Sequence, residues 1–265
     1  MGHIFWNERI RLIDSGENVD VLAIGDSWFH YPFNNLITPL YSALAQPTVY
    51  VIGENGARAD ELAAGVWRER FRAMLAEQPM IRLVCISAGG NDFAGLGDLD
   101  AKILKPDCTA AATADDCCLA GEPDGVFAAV EAAYRTLLRD VEELRPGVPV
   151  LVHNYDYAIP DGRTLPGLRS WLKLPMDNCR VPAAAAPLAG VRRDIVRTLI
   201  DHFTLRLDAL ASAPVADLLA PAELIWSAGT LADSAWANEL HPRSSGFARI
   251  VAECWSGPAR RALGL

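Results

Sequence analysis

The sequence predicts a three-layer α/β/α sandwich built on a parallel sheet of about five strands. Three observations carry that expectation. Short apolar runs alternate with helix-length amphipathic segments from one end of the chain to the other. Those runs are apolar almost throughout, not at every second residue, as in strands buried on both faces. The chain has 265 residues, 51% of them hydrophobic, which is enough for one large core without help from metals or disulfides.

Residues 19–25, 48–53, 82–89 and 148–155 are the first four expected strands, each ending in a turn or a polar cluster. A fifth is expected at 224–228. Between them, 60–77 has helical spacing through Leu62, Val66, Phe71, Met74 and Leu75, and 125–144 through Val126, Val130, Tyr134, Leu137 and Val141. Asp124 is the expected N-cap of the second, and Pro146-Gly147 its stop. Further helices are expected at 189–211 and around 246–255, with Ser244 and Ser245 as caps of the last. Two stretches break the rhythm. Residues 94–123 carry three cysteines and no clear period, and 156–187 carry five prolines and the pair Trp171-Leu172. Loops this long in a compact domain are usually functional. The expectation is one domain over 1–265 with insertions near 94–123 and 156–187, the second placed to cover a site.

Lys and Arg number 24 against 33 Asp and Glu, a net charge of −9, which argues against a surface that tracks phosphates and so against nucleic acid as a partner. No apolar run approaches the ~18–20 residues that cross a bilayer. No basic stretch followed by a long apolar run opens the chain, so a cytoplasmic location is expected. Cys85 and Cys254 read as small buried hydrophobes. Cys108, Cys117, Cys118 and Cys179 lie in loop-like segments without paired C-x-x-C spacing, so no metal is expected, and whether they form disulfides depends on the redox medium.

In such sheets ligands bind beyond the carboxyl ends of the strands. The first expected strand ends Gly25-Asp26-Ser27-Trp28-Phe29-His30-Tyr31, the second Gly53-Glu54-Asn55-Gly56, and the third Gly89-Gly90-Asn91-Asp92. Near the C-terminus stands Asn238-Glu239-Leu240-His241-Pro242. A serine, a histidine, a carboxamide and bare glycine N–H groups are the parts that acyl transfer needs.

In order and spacing these four blocks resemble those of the SGNH (GDSL) hydrolase superfamily, over about residues 20–250. The resemblance implies a flavodoxin-like sheet and a serine ester hydrolase without cofactor, acting on a small-molecule, glycan or lipid ester. It casts Ser27 as nucleophile and His241 as general base. Ser27 N–H, Gly56 N–H (Gly53 as second choice) and the Asn91 side chain would form the oxyanion hole. Two other readings use the same residues: an acyltransferase, or an inactive module that binds an ester or glycan. Oligomeric state is not legible.

The sequence departs from the family at one place. The usual acid, three residues before the histidine, is here Asn238. An amide oxygen still accepts from an imidazole N–H but offers no charge to the imidazolium. Asn238, Glu239, Asp233 and a main-chain carbonyl are the candidate orienters of His241. No G-x-S-x-G elbow occurs. Trp28, Phe29, Tyr31 and Phe33 follow the serine, and one or two of them are expected to face substrate. His153 and His30 read either as pocket residues or as hydrogen-bonded structural ones. Asp26 and Asp92 read as stabilisers of the turns that carry Ser27 and Asn91.

Overall fold

In the computed structural model all residues are described except 33, 95–97, 165, 166, 168, 184–189 and 213–218. Six strands form one sheet: β1 (Ile4–Trp6), β2 (Val21–Gly25), β3 (Val49–Gly53), β4 (Leu83–Ser87), β5 (Val150–His153) and β6 (Ala222–Ile225). Their order is β1-β3-β2-β4-β5-β6, and every pair is parallel. β2 to β5 are buried at every residue, which is why their sequences lack alternation. The Gly65–Glu77, Glu122–Leu144 and Val191–Ala211 helices pack together on one face, while Ile37–Ala43 and the run from Ser244 to Leu263 cover the other. β3-β2-β4-β5-β6 is the flavodoxin-like five-stranded order, with β1 added at the edge.

Several boundaries differ from those expected. β1 has three residues, too few for any period to register. β6 ends at Ile225 because Ser227 N–H turns away to donate to Asn154 Oδ1 at 2.7 Å. The expected helix at 60–77 is two helices, Ala59–Leu62 and Gly65–Glu77, parted just before Gly65, the poorest helix former of the run. The long helix begins at Glu122, with Pro123 in its first turn where the missing N–H costs nothing. Asp124 therefore lies within that turn and does not cap it. Likewise Ser244 and Ser245 are the first residues of their helix, whose N-cap is Arg243. Phe33 lies outside the described residues.

The two insertions have structure of their own. The first contains a π-type turn at Leu99–Ile103 and a short helix at Ala114–Cys117, and the second contains the Lys173–Asn178 helix. They touch where Cys108 N–H donates to Cys179 O at 2.8 Å. Cys108, Cys117 and Cys179 are buried free thiols there, and Cys118 is half-buried. Among the described residues no helix is long and apolar enough to cross a membrane.

At the carboxyl edge of the sheet Gly25 and Gly53 both lack room for a side chain, Gly53 the more severely. Gly53 ends β3 with φ +124°, and a Cβ there would stand 2.0 Å from the carbonyl oxygen of Gly25 on β2. That close approach draws the end of β3 against the end of β2, from which Ser27 follows. Gly53→Ala is expected to cost about 3 kcal/mol, roughly 6–12 °C in Tm for a chain of this size. Thermal unfolding followed by circular dichroism checks this, and a Tm within about 2 °C of wild type contradicts it.

Candidate active site

β2 delivers Ser27 to the sheet edge, and Asp26 sets its position. Asp26 N–H donates to Ser87 O at 3.0 Å, and its carboxylate accepts from Trp28 N–H at 3.0 Å, capping the four-residue helix Ser27–His30. Two hydroxyls complete the shell: Ser87 Oγ, at the end of β4, donates at 3.0 Å, and Tyr155 Oη, just past β5, at 2.6 Å. The carboxyl group is wholly buried, and burial pushes its pKa up to about 6 against the pull of these donors. Engaged by Trp28 N–H, Ser87 Oγ and Tyr155 Oη, Asp26 works as a structural clamp. Ser27 is the first residue of its helix, so its N–H has no carbonyl within the helix to bind.

The β3 and β4 loops are tied together beside Ser27. Glu54–Ala57 is a turn closed by Ala57 N–H on Glu54 O, with Gly56 at its third position and φ +83°, a conformation that suits glycine. Asn91 Nδ2 donates to Ala57 O at 3.0 Å, and Asp92 accepts Ala59 N–H at 3.0 Å. Burial raises the pKa of Asp92 to about 7, with Arg58 3.7 Å away on the lowering side. These bonds bring Gly56 and Asn91 to one rim. Gly53, the second choice of glycine, is occupied elsewhere: its N–H donates to Asn7 Oδ1 at 3.3 Å, and Asn7 Nδ2 returns a bond to its carbonyl at 2.8 Å.

His241 arrives from the far end of the chain with Nε2 2.8 Å from Ser27 Oγ, across 214 residues of sequence. Its Nδ1 lies 3.1 Å from Asn238 Oδ1. That same oxygen also accepts Leu240 N–H at 3.0 Å and His241 N–H at 2.9 Å. Three donors thus converge on one amide oxygen. A flipped Asn238 would point its NH₂ at two backbone N–H groups, so the amide orientation is fixed, and Asn238 Nδ2 instead faces Tyr31 Oη at 3.5 Å. Because an amide oxygen only accepts, Nδ1 must carry the imidazole proton, which leaves Nε2 bare to accept from Ser27 O–H. The ring is stacked on Tyr31 at 4.1 Å and 5°, with Trp171 edge-on at 6.1 Å. Burial lowers the His241 pKa to about 4.

The two acidic candidates are committed elsewhere. Asp233 accepts from Arg193 at 2.9 Å. Glu239 is fully buried and points away from His241 into the second insertion. Its carboxylate accepts four backbone N–H groups: Gly162 at 2.9 Å, Trp171 at 2.7 Å, Leu172 at 2.9 Å and Lys173 at 2.9 Å. It is the peg around which that segment is folded. Nothing in the sequence distinguished Glu239 from an orienting acid, because its partners lie 66 to 77 residues away.

The aromatic residues after Ser27 separate into distinct places. Trp28 borders an apolar cavity beside Ser27 and Asn91, and its Nε1–H donates to Leu240 O at 3.0 Å. Tyr31 lies against His241. Phe29 is wholly buried, 6.0 Å from the His153 ring and 6.2 Å from that of Trp255, and does not border the cavity. His153 is buried too, 2.8 Å from Ser87 Oγ and outside the cavity wall, with its pKa lowered by burial to about 4. His30 faces Trp6. Tyr155, Leu172 and Trp236 border the cavity and were not singled out as site residues from sequence, since they come from remote strand ends and an insertion. Among the described residues no group of His, Cys, Asp and Glu is arranged to hold a metal.

In overall shape the chain is similar to a protein from Streptococcus pneumonia named for platelet activating factor (13% identity, 90% of this chain and 83% of that one, TM-score 0.51). It is also similar to an acetyl esterase mutant with acetate ion (13%, 92% and 98%, TM-score 0.47). A third similar structure is a carbohydrate esterase of family 3 from Talaromyces cellulolyticus (12%, 93% and 99%, TM-score 0.48). At 13% identity the likeness to the first of these is one of fold alone. No curated protein matches the sequence. The sequence model of the GDSL-like lipase/acylhydrolase family matches residues 22–249, from the start of β2 into the helix after His241. The chain therefore belongs to the GDSL-like lipase/acylhydrolase family.

Proposed function

We propose that this chain hydrolyses a carboxylic ester through an acyl-enzyme on Ser27. The observation that carries the reading is the 2.8 Å contact of His241 Nε2 with Ser27 Oγ, made by an imidazole whose Nδ1 is engaged with Asn238. As Oγ attacks the ester carbonyl carbon, its proton passes to Nε2. The oxyanion that develops is met by Ser27 N–H, Gly56 N–H and the second N–H of the Asn91 amide, whose first is held by Ala57 O. Collapse breaks the carbon–oxygen bond, and the proton on Nε2 goes to the departing alcohol. Water then repeats the sequence on the acyl-enzyme, releasing the carboxylic acid and restoring Ser27.

A fluorophosphonate probe is expected to label the wild type and to leave Ser27→Ala unlabelled. Absence of labelling in folded wild type contradicts the reading and favours a binding module. Asn91→Ala is expected to lower turnover of p-nitrophenyl acetate by about 10²–10³ and to slow labelling as well, since the probe's phosphoryl oxygen uses the same donors. Product analysis with an added alcohol separates hydrolysis from acyl transfer.

The replaced acid has a consequence in pH. His241 acts as a base only when neutral, and burial without a neighbouring carboxylate places its pKa near 4. Activity is therefore present above that pH and lost as pH falls through it, so the acid limb of kcat/KM is expected near pH 4. An ordinary histidine would put it near 6.5. Asn238→Asp places a negative charge beside the imidazolium and is expected to move the limb up by about one to three pH units. Asn238→Ala removes the acceptor that fixes the tautomer and is expected to cost about 10²–10⁴ in kcat. An acid limb near 6.5 in wild type, unmoved in Asn238→Asp, contradicts this use of Asn238.

A further inference from the structure

We propose that the Tyr31 ring, stacked on His241, gives the imidazolium the negative electrostatic partner that Asn238, an uncharged amide, cannot supply. Resting on the ester-hydrolase reading above, this makes Tyr31 a positioning residue: it acts through His241 and does not border the cavity beside Ser27.

One turn of chain presents both Ser27 and Tyr31. Tyr31 is the C-cap of the four-residue helix Ser27–His30, with its N–H on Ser27 O at 2.8 Å and its own carbonyl held by Asn35 Nδ2 at 3.1 Å. Residues four apart on a helical turn lie on one side of it, and both of these meet His241. Ser27 Oγ meets the edge of the imidazole, 2.8 Å from Nε2, while Tyr31 covers its face, with centroids 4.1 Å apart and planes 5° from parallel. Tyr31 Oη also lies 3.5 Å from Asn238 Nδ2, so one side chain touches both members of the His241–Asn238 pair.

A stack of this kind favours the charged imidazole over the neutral one. The face of an aromatic ring carries negative potential and attracts a cation within about 6 Å of its centre. Two neutral rings prefer an offset or edge-on arrangement with centroids about 4.5–7 Å apart, and this pair is closer than that and parallel. Among the described residues the imidazole's hydrogen-bond and ring partners are Ser27 Oγ, Asn238 Oδ1, the Tyr31 face and, edge-on, Trp171, none of them charged. Burial raises the pKa of the Tyr31 hydroxyl above its ordinary value, so its ring stays neutral where the enzyme works.

The attraction grows when it is needed. As the bond from Ser27 Oγ to the carbonyl carbon forms, the Oγ proton passes to Nε2, and the imidazole becomes a cation lying on the Tyr31 face. When the carbon–oxygen bond to the alcohol breaks, that proton leaves with the alcohol and the ring is neutral again. Tyr31 neither gives nor takes a proton. It lowers the energy of the charged interval, and only a contact stronger in the transition state than in the ground state speeds the step. In a desolvated site such a contact is worth about five- to thirtyfold in rate.

The test is kcat for p-nitrophenyl acetate across variants that keep or remove the face. Tyr31→Phe keeps it and is expected to stay within about threefold of wild type, since the 3.5 Å contact it gives up is a weak one. Tyr31→Leu keeps apolar bulk without the face and is expected to lose about five- to thirtyfold in kcat with KM little changed. Phenylalanine carrying one, two and then three ring fluorines at position 31 keeps the shape while draining the face of negative potential. Along that series kcat is expected to fall at every step, and the acid limb to move down by about one pH unit in all, because a less stabilised imidazolium releases its proton more readily. A purely structural role would respond to leucine and not to fluorine, so the series decides on its own where Tyr31→Leu does not fold. A kcat that stays level across the fluorines, a limb that stays or rises, or a Tyr31→Phe loss as large as that of Tyr31→Leu overturns the role of Tyr31 alone. Absence of Ser27-dependent turnover in folded wild type overturns the hydrolase reading, and this role with it.

Discussion

The amide oxygen of Asn238 accepts three N–H groups, two from the main chain and one from the His241 ring. The two backbone bonds hold the amide in one orientation, and the third then dictates which ring nitrogen carries the proton. In proteases with an aspartate at this place, exchange for asparagine costs about 10⁴ in turnover because the wrong tautomer results. Here the turn around Asn238 prevents that outcome, since a rotated amide would confront the N–H groups of Leu240 and His241. The position supplies orientation and not charge. What is given up is a carboxylate's electrostatic help to the imidazolium, and burial without that help is why the ring's pKa falls to about 4.

A second constraint runs through the whole edge of the sheet. The loops that follow the strands are joined there by buried carboxylates that accept N–H and O–H groups from other loops. Asp26 joins the ends of β2, β4 and β5. Asp92 joins β4 to the segment after Gly56. Asp156 gathers the loop that follows β6, and Glu239 gathers the second insertion. Each carboxylate is desolvated, so each bond it makes is a condition of its burial rather than an ornament. Such clamps fix a constellation without giving it reactivity, which is why acidic residues beside a nucleophile are poor guides to chemistry by themselves.

Much of the fold was legible because parallel strands buried on both faces announce themselves as continuous apolar runs, and glycines mark where the chain turns at their ends. The blocks around Ser27, Gly56, Asn91 and His241 were legible for the same reason: each sits directly after a strand or before a helix. β1 escaped because three residues carry no period. The separation of Trp28 and Tyr31 from Phe29 escaped because a four-residue helix sends adjacent side chains to opposite sides, and the direction of the core is a tertiary fact. Glu239 and Asn238 are neighbours of similar chemistry, and only contacts across some 70 residues of sequence tell the peg of an insertion from the orienter of a histidine. The cavity wall was legible least, since Tyr155, Leu172 and Trp236 come from three remote segments.

The most direct test of the central claim is the tautomer of His241, read by ¹⁵N NMR of imidazole-labelled protein between pH 5 and 8. With Asn238 Oδ1 as acceptor, Nδ1 gives the signal of a protonated ring nitrogen and Nε2 that of a bare one across this whole range. A proton found on Nε2, or a titration centred near 6.5, would contradict it.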